Sequence, residues 1–121
     1  MKRILWISRH QPLPSQVLEL QRIYGVDCEI KIDQNRFYGF EDILKRVEKY
    51  QPDELLLMAP LSVCRKVLES GIKPLYAEMR KSDHPEVTTH KDGKTSGYEF
   101  VKFMRLTRIE VRFQELTIDK P

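Results

Sequence analysis

Two unbroken apolar runs, at residues 4–7 and 55–59, constrain the fold of this chain more than any other feature of its sequence. A strand that is covered on both faces reads as a continuous apolar run, whereas a strand with one wet face alternates between apolar and polar residues. Segments with helical spacing follow both runs. The alternation of strand and helix favours a mainly parallel sheet with helices on its two faces.

The apolar patterns predict four strands and three helices. The predicted strands cover residues 3–8, 28–33, 53–59 and 74–80, and the predicted helices cover Pro14–Tyr24, Phe40–Tyr50 and 61–70. The strand at 28–33 alternates strictly, which is typical of a position nearer the edge of a sheet. With right-handed crossovers, these features predict the strand order 2-1-3-4. We therefore predict one small three-layer, Rossmann-like α/β domain over residues 1–121.

The composition changes after the fourth predicted strand. Residues 81–97 contain almost no apolar side chains, and we expect a long mobile loop there, with a hairpin tip at Asp92 and Gly93. Such a loop would act as a flap over a site at the adjacent sheet edge. Residues 98–104 and 109–116 are rich in strand-forming side chains, so they predict a C-terminal antiparallel hairpin over 98–116.

The best candidate for a functional site is the turn that follows the first strand. Ser8, Arg9, His10 and Gln11 come directly after the buried run and precede the first helix. A guanidinium and an imidazole at the carboxyl end of a central strand suit a phosphate or carboxylate, and the helix that follows adds a positive dipole end. His10 could also act as a general acid, base or nucleophile, with Arg9 stabilising negative charge. The alternative is structural, with Arg9 in an ion pair with Asp33 or Glu78 and His10 as a cap or in a stacking contact. The turn lacks the glycines of a dinucleotide-binding or phosphate-binding loop.

Other strand ends should meet at the same edge of a parallel sheet. They add Gln34, Ser62, Glu78 and Arg80 to the predicted ligand-binding residues. Ser62 could instead cap the third helix. Glu78 and Arg80 lie two residues apart on a strand and could form a structural ion pair.

Three functions remain open at this point. The first is the binding of a small anionic ligand, a nucleotide or another phosphate-bearing molecule. The second is a phosphoesterase or nuclease that uses His10, so the sequence leaves open whether the protein is an enzyme. The third is a nucleic-acid or protein interaction module that uses a basic and aromatic C-terminal hairpin, with Lys102, Arg105, Arg108 and Arg112 among three phenylalanines. The net charge is only +3, so the overall charge balance does not argue for nucleic acid.

The remaining expectations concern compartment and partners. The two cysteines, Cys28 and Cys64, form no CxxC pair, and His84 and His90 match no compact ligand motif, so we predict neither a metal site nor a cofactor. Reduced core thiols, and the lack of a signal peptide or a membrane span in the sequence, indicate a cytoplasmic protein. An exposed edge strand in the terminal hairpin would allow a homodimer.

Overall fold

The computed structural model describes residues 1–118. The elements alternate between strand and helix up to the fourth strand, and two further strands follow. In chain order they are β1 (Arg3–Ile7), α1 (Pro14–Tyr24), β2 (Glu29–Asp33), α2 (Phe40–Tyr50), β3 (Glu54–Leu57), α3 (Leu61–Glu69), β4 (Leu75–Lys81), β5 (Val87–Lys91) and β6 (Lys94–Arg105).

The six strands form one mixed sheet in the order β2-β1-β3-β4-β6-β5. The first four are parallel in the order 2-1-3-4, as predicted, and β6 and β5 extend the sheet with antiparallel pairing. The unbroken apolar run of β1 is explained by its position between β2 and β3. Both of its faces are covered, and residues 4–7 are all at most 2% exposed.

Successive side chains of β1 enter two separate core clusters on opposite faces of the sheet. Leu5 and Ile7 pack with Ile43 of α2 and Val67 of α3. On the other face, Ile4 and Trp6 pack with Leu20 of α1. The period of two in a strand therefore distributes one continuous apolar run between the two core clusters.

The expectation of an irregular loop over residues 81–97 is wrong. Most of this segment forms β5 and the beginning of β6, which pair from Val87 opposite Tyr98 to Lys91 opposite Lys94. The predicted hairpin tip is confirmed, because Asp92 and Gly93 have φ angles of 54° and 74°. Positive φ at both central residues is the geometry of the type I′ turn that joins antiparallel strands. The strands were missed because backbone pairing stabilises them without an apolar face.

The predicted hairpin over 98–116 is also placed wrongly. β6 pairs with β4 and β5, and residues 106–118 contain no strand. Leu106 and Ile109 pack against the core on the side of α2 and α3, whereas Phe113 and Leu116 are more than 90% exposed. The alternation of apolar residues at 109–113 thus resembles a strand, but no neighbouring backbone accepts its hydrogen bonds.

A bulge sets which β6 side chains reach the core. The register between β4 and β6 shifts between Glu78 and Met79, because Lys102 lies opposite Glu78 while Phe100 lies opposite Met79. Phe100 and Phe103 are three residues apart, an odd spacing that would place them on opposite faces of a regular strand. The extra residue brings both rings into the cluster beside α1, with their centroids 4.7 Å apart.

Candidate functional site

A cavity of about 800 Å³ opens at the carboxyl ends of β1, β2 and β3. We call it the basic cavity. β1 lies between β2 and β3, so the chain reverses its direction of progress across the sheet at this point, where open α/β sheets commonly bind ligands. The volume is within the range of small-molecule sites. The lining residues are Ile7, Ser8, Arg9, His10, Gln34, Asn35, Arg36, Phe37, Met58, Ala59 and Pro60.

Hydrogen bonds hold the turn after β1 from three directions. The Trp6 indole Nε1 donates to the His10 backbone oxygen at 2.9 Å, and the His10 backbone N–H donates to Ser8 Oγ at 3.2 Å. Gln34 Nε2, from the loop after β2, donates to the Arg9 backbone oxygen at 2.9 Å. The backbone of the turn is therefore fixed by a core side chain, by its own serine and by the neighbouring loop.

The loop between β2 and α2 is organised around Arg46 of α2. Its guanidinium donates to the backbone oxygens of Asn35 and Arg36 at 2.9 and 2.7 Å, and to Asp42 Oδ2 at 2.9 Å. It also lies 3.5 Å from the carboxylate of Asp33, which is only 6% exposed. That carboxylate accepts the Asn35 N–H at 3.0 Å, so the loop is held from both of its ends.

The charged residues that line the basic cavity are all cationic. Arg9 and Arg36 are cations at its wall, and no Asp or Glu is among the lining residues. Asp33 is the nearest acid along the chain, but it is buried and lies beside the Arg46 guanidinium. It does not pair with Arg9, contrary to one structural alternative for that residue. Two arginines in the lining, without a lining carboxylate, favour an anion.

A second cavity of about 270 Å³ lies beside the first and shares Ser8, His10 and Met58 with it. We call it the apolar cavity. Its walls come from the turn after β1, the first turn of α1, and strands β4, β5 and β6. The remaining lining residues are Trp6, Gln11, Leu13, Gln16, Ala77, Met79, Val87, Thr89 and Tyr98.

The predicted site residues divide into three groups. Ser8, Arg9, His10 and Gln34 line the basic cavity, and Gln11 lines the apolar cavity, as do Ser8 and His10. Ser62, Glu78 and Arg80 line neither cavity.

The local structure explains why Ser62, Glu78 and Arg80 lie outside both cavities. Ser62 is an exposed residue within α3, whose N-cap is Pro60 and has no side-chain cap. Arg80 donates to Glu99 across the β4–β6 pair at 2.6 Å, and Glu78 lies opposite Lys102.

Several lining residues were not predicted from the sequence. Arg36 could have been found, because it lies in the polar loop after a strand, as Arg9 does. Leu13, Gln16, Val87 and Tyr98 gave no such signal, since they converge on the apolar cavity from separate elements.

Most of the cations in the predicted basic hairpin are paired with carboxylates in the structure. Arg105 forms two 2.9 Å hydrogen bonds with the carboxylate of Glu54, and this partner raises the pKa of the Arg105 guanidinium. Arg108 and Arg112 both pair with Glu110. Three of the four cations proposed for nucleic-acid contact are thus close to carboxylates.

Comparison of the chain with models of protein families, with curated proteins and with solved structures finds no match. Among residues 1–118, none of the helices is both long enough and apolar enough to cross a membrane.

Proposed function

We propose that this protein binds a small anionic ligand, one with a phosphate group, in the basic cavity. The observation that supports the proposal is the position of Arg9 and Arg36 at the strand-end cavity, with no carboxylate in the lining. Guanidinium groups bind phosphate oxygens through pairs of charge-assisted hydrogen bonds. We also propose that the fold is a small three-layer, Rossmann-like domain, because helices pack on both faces of its parallel strands.

The rigidity of the two loops adds to this proposal. Arg9 belongs to a turn fixed by Trp6 and Gln34, and Arg36 belongs to the loop fixed by Arg46. Loops whose backbone is already fixed lose less conformational entropy when a ligand arrives. The Arg36 guanidinium also lies 5.9 Å from the centre of the Tyr38 ring, within the range of a cation–π contact.

Isothermal titration with pyrophosphate and with nucleoside 5′-monophosphates tests the proposal. We expect binding that weakens with added salt, and that falls roughly tenfold or more in Arg9→Ala and in Arg36→Ala, because one charged hydrogen bond contributes about 1.5–3 kcal/mol. Arg22→Ala is the matched control, since its side chain is 73% exposed and lines neither cavity. Binding that is absent, or equally strong in all three variants, would contradict the proposal.

A phosphoesterase that uses His10 is the second candidate, because His10 lines both cavities. Binding without turnover is favoured by the lining, which offers His10 no carboxylate to orient an acid–base imidazole. Hydrolysis of p-nitrophenyl phosphate or a dinucleotide that His10→Ala abolishes would establish the enzyme.

We also propose a cytoplasmic location and self-association. The free thiols of Cys28 and Cys64 suit a reducing compartment. The exposed side chains of Val111, Phe113 and Leu116 offer apolar surface to a second copy. Sedimentation velocity over a concentration series, with Phe113→Ser as the comparison, tests the dimer. A single monomeric species at every concentration would exclude it.

A further inference from the structure

The apolar cavity has a polar group whose hydrogen-bonding capacity is incompletely used. Gln16 is only 5% exposed and lines this cavity. Its Oε1 accepts the Leu13 N–H at 2.8 Å, which caps the start of α1. Its Nε2 donates to the sulfur of Met79 at 3.7 Å, and thioether sulfur is a weak acceptor. The buried side-chain amide of Gln16 thus has two N–H donors, and among residues 1–118 the only acceptor they contact is the weakly accepting sulfur of Met79.

The surroundings of Gln16 suit a flat apolar group. Trp6 and Tyr98 provide aromatic walls, and Met58 and Met79 provide polarizable side chains that pack well against rings. The volume of about 270 Å³ is close to the lower limit of small-molecule sites. A ring with one hydrogen-bond acceptor, such as a carbonyl oxygen or a ring nitrogen, would satisfy the unused donor of Gln16.

The two cavities meet at shared residues. Ser8, His10 and Met58 line both of them, so one ligand could occupy both on either side of His10. The charged lining is confined to the basic cavity, and the aromatic lining is confined to the apolar cavity apart from Phe37. A molecule with an anionic end and a planar apolar end matches this division.

We propose that the apolar cavity is the subsite for a heteroaromatic ring belonging to the same phosphate-bearing ligand, with Gln16 donating to an acceptor atom of the ring. The ligand is therefore of the nucleotide class. This inference rests on the proposed function, because the basic cavity would hold the phosphate. It assigns recognition of the ring to Gln16 and to the hairpin residues Val87, Thr89 and Tyr98.

Calorimetry with three probes separates this inference from the proposed function. Ribose 5-phosphate has the anion alone, adenosine has the ring alone, and AMP has both. We expect AMP to bind at least tenfold more tightly than ribose 5-phosphate, and adenosine to bind weakly. GMP, CMP and UMP in the same assay identify the preferred ring. If no base improves on ribose 5-phosphate, the ring subsite is refuted while the anion site stands.

The variant Thr89→Trp fills the apolar cavity from the exposed edge strand, and Thr88→Trp is its control because the adjacent residue lines neither cavity. We expect Thr89→Trp to reduce AMP affinity to that of ribose 5-phosphate, without changing ribose 5-phosphate binding, and Thr88→Trp to behave as the unmodified protein. Gln16→Met should weaken AMP and adenosine selectively. AMP binding that survives Thr89→Trp would overturn the inference. Failure of all three probes to bind would overturn both the inference and the proposed function.

Discussion

The indole of Trp6 donates a 2.9 Å hydrogen bond to the backbone oxygen of His10, four residues along the chain. The Trp6 side chain is 2% exposed and packs edge-on against Phe103, with the two ring centroids 6.2 Å apart. A core side chain of β1 therefore fixes the turn that lines both cavities. The position of His10 depends on how well Trp6 is packed.

Replacing Trp6 by Phe should weaken ligand binding even under conditions in which the variant is fully folded. The substitution keeps an aromatic ring in the core but removes the donor, which costs about 1 kcal/mol for the hydrogen bond and more for the lost volume. The His10 turn would then lose one of its anchors. We expect a lower urea midpoint by circular dichroism, and ligand affinity at least threefold lower at a temperature where the variant is fully folded. Unchanged affinity in the folded variant would show that the bond does not position the turn.

Replacing Arg46 by Met should destabilise the protein by roughly 3 kcal/mol, because breaking a buried pair leaves an uncompensated carboxylate. Arg46 is 14% exposed, and its partner Asp33 is 6% exposed. Arg65→Met is the matched control. That side chain pairs with Glu69 on the outside of α3, where both are more than half exposed, and its loss should cost less than about 1 kcal/mol.

Urea unfolding of the two variants measures the difference. Comparable losses in Arg46→Met and Arg65→Met would mean that Arg46 does not organise the loop after β2.

Gly97 cannot accept a larger side chain without movement of the β4–β5 connection. A Cβ atom built at Gly97 would lie 2.6 Å from Cβ and 2.7 Å from Cγ of Pro85. We expect Gly97→Ala to destabilise the protein by about 1–3 kcal/mol, since overpacking forces the backbone apart. Pro85→Gly removes both clashing atoms, so Gly97→Ala should cost less in the Pro85→Gly background than in the unmodified protein. Additive effects in this double-mutant cycle would argue against the clash.

The Cys64 thiol should react slowly in the folded protein. Burial raises the pKa of this thiol, and its Sγ is 3.6 Å from the Ala59 backbone oxygen. The folded state thus binds the thiol proton more tightly than the unfolded state does. The resulting stabilisation is complete below the ordinary thiol pKa of 9.0 and is lost as the pH rises through the higher folded value.

Iodoacetamide labelling near pH 8 followed by peptide mass spectrometry should modify Cys28, which is partly exposed, well before Cys64. Equal labelling rates would show that Cys64 is accessible.

The parallel part of the sheet could be predicted because strands that are buried on both faces have unbroken apolar sequences. Residues 4–7 and 55–59 are apolar without interruption since β1 and β3 are covered on both faces, and the helices Pro14–Tyr24 and Phe40–Tyr50 begin and end as their patterns indicate. β5 has no such apolar run. Four of its five residues are exposed, and only Val87 is partly buried, so its pairing is determined by a tight turn and a backbone partner.

Only the part of the candidate site that is local in sequence could be predicted. Arg9, His10 and Gln34 follow strands directly, and parallel strands bring such residues to one edge. Gln16 and Tyr98 are 82 positions apart and meet through the antiparallel hairpin, whose position depends on long-range pairing. Side chains that approach from opposite ends of the chain leave no spacing to recognise.

The hairpin also has a consequence for how the protein is made. A nascent chain that has left the ribosome up to residue 81 contains all four parallel strands and the basic cavity lining. Val87, Thr89 and Tyr98 emerge later, and only then can the part of the apolar cavity that they line be built. Because N-terminal segments are available to fold first during synthesis, the parallel core would form as a template on which the last two strands are added. The apolar cavity is thus the final part of the proposed ligand-binding surface to be completed.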